Sequence, residues 1–152
     1  MVNEAVSIDF KESDSVLEAI ILEADLIRTF KPEFNTKEKD DKSFYCVALT
    51  DEDFPVIKLV RKKDIDFDTR EARGEKLRSI FGPYPESGSI KEALKIIRKI
   101  FPYRDEKCPG PHAKRPCFNY TIGLCPGVCA GVVTKTEYAR TVRHIELFLK
   151  GK

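Results

Sequence analysis

CPGPHAKRPCFNYTIGLCPGVC, residues 108–129, holds four of the chain's five cysteines, spaced C-x8-C-x7-C-x3-C. Pro109 follows Cys108, Pro116 precedes Cys117, and Pro126 and Gly127 separate Cys125 from Cys129. Proline and glycine favour turns over regular helix or strand, and turns let thiols from separate backbone points converge. The stretch has too few aliphatic residues to build a core of its own. Disulfides, a structural zinc or an iron–sulfur cluster must therefore hold it. An isolated cysteine is usually just a small buried apolar residue. Four within 22 residues, set among turn formers, point instead to a metal site. The spacing matches neither the paired C-x2-C knuckles of a zinc ribbon nor the ferredoxin patterns. It leaves the identity of the metal open.

The rest of the 152-residue chain bounds the setting. Hydrophobic residues make up 41% and charged residues 34%, the balance of a globular protein rather than a disordered one. The length suits one ordinary domain, or a small domain with an appendage. No apolar run approaches the ~20 residues of a membrane span. The N-terminus, MVNEAVSIDFKES, has neither the basic nor the apolar region of a secretory signal. A reducing cytoplasm is expected, where structural disulfides are rare. Cys46 lies far from the other four in an apolar run and reads as core. Residues 103–152 carry nine Lys/Arg against four Asp/Glu, while the remainder carries 18 against 21. A basic C-terminal third suits a nucleic-acid partner, although a solvated basic face looks the same.

In chain order, Val6, Ile8 and Phe10 alternate within AVSIDFKE (5–12), a strand pattern. Ser15 with Glu18 fits a capping box for the helix VLEAIILEADLIRTF, which Pro32 ends. On a wheel of ~100° per residue, Ile20, Ile21, Ala24, Ile27 and Phe30 share a broad apolar arc with Leu17. Glu23 falls inside that arc, between Phe30 and Ile27. A buried unpaired carboxylate costs several kcal/mol, so Glu23 is either paired at the rim of the arc or works as a metal ligand or base. Residues 31–43 read as a charged loop. SFYCVALT (43–50) and PVIKLVRK (55–62) form a hairpin across the DEDF turn. Residues 64–76 read as a second charged loop, and RSIFGPYPESG (78–88) as a short strand entering a Gly-Pro turn. SIKEALKIIRKIF (89–101) is an amphipathic helix with Ile90, Leu94, Ile97 and Phe101 on its buried stripe. A last helix at 135–151 starts with a Thr134–Glu137 capping box and lines up Tyr138, Val142, Ile145 and Leu149. His144, beside that stripe, reads as structural or surface, and His112 is a dispensable extra ligand. There is no internal repeat, Walker loop, Rossmann fingerprint or nucleophile elbow.

Five segments together resemble the C subunit of the bacterial UvrABC excinuclease, the UvrC family. They are LEAIILEADLIRTFKPEFN, DDKSF…LTDEDFP, FGPYP, RPCFNYTIGLCPGVCAG and the closing LFLKGK. They occur in the family's order and cover nearly the whole chain. The resemblance implies an α+β fold: an incomplete GIY-YIG-like small sheet with flanking helices, then a β-hairpin, a helix, the cysteine-rich metal-bound segment and a C-terminal helix. The implied divisions are residues 1–62 for the rear of the nuclease domain with its hairpin, 63–102 for a connecting strand and helix, and 103–152 for the cluster region.

The resemblance also implies chemistry. The family incises the damaged strand 3′ to the lesion with a divalent metal, Mg2+ or Mn2+, held by a helix glutamate. That role falls on Glu23, with Asn35 as a second residue of the site. A hard cation of this kind prefers carboxylate oxygens and keeps several waters. Cys108, Cys117, Cys125 and Cys129 match the family's [4Fe–4S] ligands, with zinc as the alternative occupant. The implied partners are damaged double-stranded DNA and the UvrB–DNA complex, with no membrane. The GIY and YIG strands, with their tyrosines and arginine, do not occur in this sequence. The chain therefore reads as a central slice of the family protein, with the missing half absent or supplied by a separate polypeptide. Little cleavage is expected from it alone, because an oriented constellation supplies most of the rate. A non-catalytic iron–sulfur or zinc DNA-binding module is the other reading.

Overall fold

The computed structural model describes residues 6–14, 16–30, 44–84, 87–111 and 113–151. Helix α1 (Val16–Phe30) comes first, followed by strands β1 (Tyr45–Thr50), β2 (Ile57–Arg61), β3 (Ile65–Asp66), β4 (Glu71–Ala72) and β5 (Glu75–Tyr84). Helices α2 (Ser87–Ile100), α3 (Phe118–Thr121) and α4 (Lys135–Leu149) complete the chain. The strands form one antiparallel sheet in the order β2-β1-β5-β4-β3. The α+β class is as the sequence implies.

The expected hairpin is present, with Tyr45 opposite Arg61 and Leu49 opposite Ile57. Alternation along β1 sends its side chains to two faces. Val47 and Leu49 join a core with Ile21 of α1, with Ile90, Ala93, Leu94 and Ile97 of α2, and with Tyr138, Val142, Ile145 and Leu149 of α4. Both helical stripes legible in the sequence are thus buried against one face of the sheet. Cys46 and Ala48 point the other way, into a smaller cluster with Val60, Ile65, Ala72 and Leu77. Cys46 is core, as its surroundings in the sequence suggest.

Helix α4 begins as read. The Thr134 hydroxyl accepts from the Glu137 N–H at 3.3 Å, and the Glu137 carboxylate accepts from the Thr134 N–H at 2.9 Å. Satisfying two orphan donors at once is what fixes this start after an irregular segment.

Three expectations need correction. Residues 6–10 form no strand, and Val6, Ile8 and Phe10 are exposed. A strand exists only in a ladder, and no described strand pairs with this segment. The charged stretch 64–76 is not a loop throughout, since β3 and β4 pair through Ile65–Ala72 and Asp66–Glu71. The strand before the Gly-Pro pair is not short. β5 runs ten residues, through Gly82 and Pro83, and pairs with β1. The β1–β5 register shifts between Tyr45 and Val47, opposite that pair. Proline lacks the N–H that a ladder requires and is tolerated in a sheet at such an irregularity. Gly82, at φ +109°, leaves no room for a side chain, since a Cβ would meet the Tyr84 ring at 2.9 Å.

Candidate metal centre

The cysteine segment is tied to the helix face of the core at three points. Arg98, near the end of α2, donates to the Leu124 carbonyl at 2.8 Å, to the Asp105 carboxylate at 2.7 Å and to the Tyr103 carbonyl at 3.1 Å. Asp105 also accepts from the Asn119 side-chain amide at 3.0 and 3.1 Å, and its carbonyl accepts from the Cys108 N–H. The buried Tyr138 hydroxyl of α4 donates to the Pro55 carbonyl at 2.8 Å and accepts from the Arg104 N–H at 2.9 Å. Val128 enters the main core while its neighbour Cys129 turns into the thiol cluster.

Local turns then aim the thiols. Cys117 precedes the single turn of α3, and its carbonyl accepts from the N–H groups of Tyr120 and Thr121. Cys125 and Cys129 flank Pro126 and Gly127. Gly127 sits at φ +92°, and a Cβ there would lie 2.8 Å from the Tyr120 ring. Only glycine provides both the left-handed backbone and the close approach. The Sγ atoms of Cys108, Cys117 and Cys129 all lie within 4.8 Å of one another. Cys125 is buried in the same cluster, although its Sγ is not one of that triplet.

The thiols are electrostatically unequal. Burial pushes the Cys117 thiol up, yet the N–H groups of Tyr120 and Asn119 and the thiols of Cys129 and Cys108 outweigh it, and the net shift is downward. Such donors stabilise a thiolate. Cys129 is pushed upward, first by burial and then by Cys117, against the Cys117 N–H that donates to its Sγ at 3.2 Å. Burial raises Cys125 to about 11, against the N–H groups of Gly127 and Val128. Arg104 stands beside the cluster. Burial works against its charge, but the Glu52 carboxylate at 2.7 Å and the Cys108 thiol hold its pKa above the ordinary value.

The donor set fits a metal. Thiolates are soft ligands that select zinc and iron–sulfur clusters over hard cations. Two thiolates bound to one ion at ~2.3 Å lie no more than about 4.6 Å apart, so the triplet is of the right scale to share a metal.

Glu23 lies on α1, away from these thiols in sequence, and is exposed. The apolar arc inferred for that helix is only partly buried: Ile21 is 8% exposed, whereas Phe30 is 74%. Glu23 is therefore not buried in an apolar wall, although Ile27 beside it on the arc is half-buried. Asn35 and His112 lie outside the described residues. His144 is exposed, with its ring 5.9 Å from that of Phe101, and stands apart from the thiols.

Comparison with known proteins decides the family. The model of the UvrC/Cho excinuclease middle domain matches residues 44–148. The chain belongs to the UvrC family. It is 36% identical to UvrABC system protein C of Synechocystis over 153 residues, covering 100% of this chain and 23% of that protein. The Clostridium kluyveri protein of the same name is 38% identical over 156 residues, covering 100% of this chain and 24% of its own length. The Leptospira biflexa protein is 39% identical over 154 residues, covering 98% and 23%. The chain thus spans about a quarter of the length of the UvrC relatives it matches. No solved structure matches. The matched UvrC middle domain takes in the whole sheet, all four clustered cysteines and most of α4, and leaves α1 outside.

Arg98, Arg104, Asp105 and Asn119 are not distinguished by any sequence motif. Their partners lie up to 52 residues away, and a solvent-facing charge reads the same as a clamping one until the fold is known.

Proposed function

We propose that this chain is the cysteine-bearing middle part of a nucleotide excision repair nuclease subunit. In this reading Cys108, Cys117, Cys125 and Cys129 hold a [4Fe–4S] cluster. The observation that carries a metal centre here is the convergence of the Cys108, Cys117 and Cys129 Sγ atoms within 4.8 Å, with Cys125 buried beside them. The resemblance of the four-cysteine set to the family's cluster ligands is what favours [4Fe–4S]. When bound, the cluster supplies a redox-active cross-link between the segment's turns. The chain's own residues do the rest. Arg98, Asp105 and Tyr138 hold the segment to the core. Arg104 balances thiolate charge near Cys108, and the N–H groups around Cys117 favour its deprotonated form.

Zinc is the second occupant to test, because the triplet's close spacing is of the order a single ion imposes. Iron and acid-labile sulfide are measured on anaerobically prepared protein. Four of each per chain are expected on the cluster reading. One zinc with no iron would replace it.

The same reading makes damaged duplex DNA, loaded with UvrB, the partner of the assembled subunit. Its location would be the cytoplasm, and among the described residues no helix is long and apolar enough to cross a membrane. Glu23 and Asn35 would contribute to a Mg2+- or Mn2+-dependent incision site built on a GIY-YIG-like domain. The exposure of Glu23 is compatible with a hydrated cation, since Mg2+ keeps several waters and takes one or two carboxylates. By itself the 152-residue chain is expected to nick DNA little or not at all, for want of groups that orient and activate the water. Supercoiled plasmid incubated with Mg2+ tests this. Nicking that disappears in Glu23→Ala would overturn it.

A further inference from the structure

The sheet face opposite the helices carries a cavity of about 320 Å³. Its floor is Cys46 and Ile80, and its walls bear Lys62, Arg70, Arg78 and Phe67. Among the described residues no carboxylate lines it. Two nearby acids are engaged elsewhere. Asp66 accepts from the N–H groups of Asp68 and Thr69, and Asp64 pairs with Arg73. Of the three cations, Arg78 lies 3.6 Å from Glu146 and Lys62 lies against the Phe44 ring at 5.8 Å. Arg70 has no ion pair or hydrogen bond from its side chain among the described residues.

The backbone at Arg70 adds a second observation. It sits at φ +54°, where a side chain is disfavoured and glycine or asparagine is the usual occupant. Its carbonyl is held by the Leu77 N–H at 2.8 Å, which fixes the turn. Strain of this kind clusters at functional sites, and Arg73 and Lys114 share it at φ +53°. Phe67, on the same turn, is 52% exposed. A cation cluster alone would suit any anion. Joined to an exposed aromatic face at a cavity wall, it has the composition of a single-strand nucleic-acid site, with cations for phosphate and a ring for the base. The volume sits near the ~300 Å³ lower end of ligand cavities, the scale of one nucleotide.

We propose that this cavity binds one nucleotide of a single-stranded nucleic acid, with Arg70, Arg78 and Lys62 on its phosphate and Phe67 under its base. The proposal rests on the reading of the chain as a DNA-engaging protein and names a site separate from the cysteine cluster.

The test is fluorescence anisotropy of labelled oligothymidylate against the full chain across a salt series. Arg70→Gly is expected to weaken binding about tenfold and to shrink the log–log salt slope by about 0.7, the loss of one single-strand phosphate contact. It should melt no lower than the parent, since glycine suits the positive φ. Phe67→Ala is expected to weaken binding at least about fivefold with the salt slope unchanged. If the parent binds and both variants bind equally well, the cavity assignment fails while the DNA reading stands. If the parent binds no oligonucleotide, the cavity assignment fails, and the repair-subunit reading is judged separately by its iron and sulfide content. If oligoglutamate competes as strongly as oligothymidylate and Phe67→Ala changes nothing, the cavity takes acidic peptide and the nucleotide assignment is overturned.

Discussion

Arg98 and Asp105 form a 2.7 Å ion pair with side chains only 14% and 19% exposed, and the pair joins the end of α2 to the entrance of the cysteine segment. Arg98 spends its other donors on the Leu124 and Tyr103 carbonyls, so one guanidinium bridges both ends of the 105–124 stretch. Removing one partner of a largely buried pair typically costs about 3–5 kcal/mol, because the other is left uncompensated. Arg98→Ala is therefore expected to lower stability by about 3 kcal/mol. It should also raise the rate at which a chelator strips the metal, because the thiols lose their scaffold. Arg98→Lys restores charge but not the fork, and should recover only part of either effect. Denaturant titration and chelator kinetics on the three proteins check this. Unchanged stripping rates in Arg98→Ala would show that the clamp does not act on the metal.

Tyr138 couples the sheet to the same segment from the other side. Its hydroxyl bonds to Pro55 and Arg104. Tyr138→Phe keeps the ring, which is fully buried, and removes only these bonds. Leaving a buried donor and acceptor unpaired costs about 1–3 kcal/mol. The urea midpoint is expected to fall accordingly with an unchanged slope, which would mark a loss of stability without a change in surface exposed. A shift under half a kcal/mol would mean that water replaces the hydroxyl.

What could be read from the sequence was the local part. The α1 run, the β1–β2 hairpin, the buried stripes of α2 and α4 and the Thr134–Glu137 box are all set by residues a few positions apart. The four cysteines announced a metal site for the same reason. What failed depended on partners. Val6, Ile8 and Phe10 alternate correctly but have no described strand beside them. Gly82–Pro83 reads as a turn unless the shifted register of β1 is known. A helical wheel sets Glu23 among apolar residues, but it cannot tell how far that arc is covered, and Glu23 is exposed. The clamp by Arg98, the Arg104–Cys108 contact and the cavity around Arg70 join residues distant in the chain, and nothing in their local sequence marks them.

Glu23 separates a functional carboxylate from a structural one. Because it is exposed, Glu23→Gln is expected to change stability by less than about 0.5 kcal/mol. If it is a metal ligand, the parent chain binds one weak Mn2+ that the variant does not, since a neutral amide is a poor substitute for a carboxylate. Free Mn2+ measured by electron paramagnetic resonance at matched protein concentration reads this directly. Equal binding by both proteins would remove Glu23 from the metal site while leaving the cysteine centre untouched.

Cys46 gives a pH dependence that does not involve the metal. Burial raises its thiol from 9.0 to about 11, while the charge of Lys62 pulls the other way. A thiol whose folded pKa exceeds its unfolded one keeps its proton longer in the folded state. Its stabilising contribution is whole below about pH 9 and is lost as pH rises through about 11. Two pKa units correspond to about 3 kcal/mol. Folded stability should therefore drop between pH 9 and 11 more steeply in the parent than in Cys46→Ala, which lacks the titrating group. Other lysines and tyrosines ionise in this range in both proteins, so the difference between the two curves is the measurement. Cys46→Ala costs some packing at every pH, which offsets its curve without tilting it. Parallel curves would mean that the thiolate is accommodated. The cavity whose floor Cys46 forms would then admit enough water to solvate it.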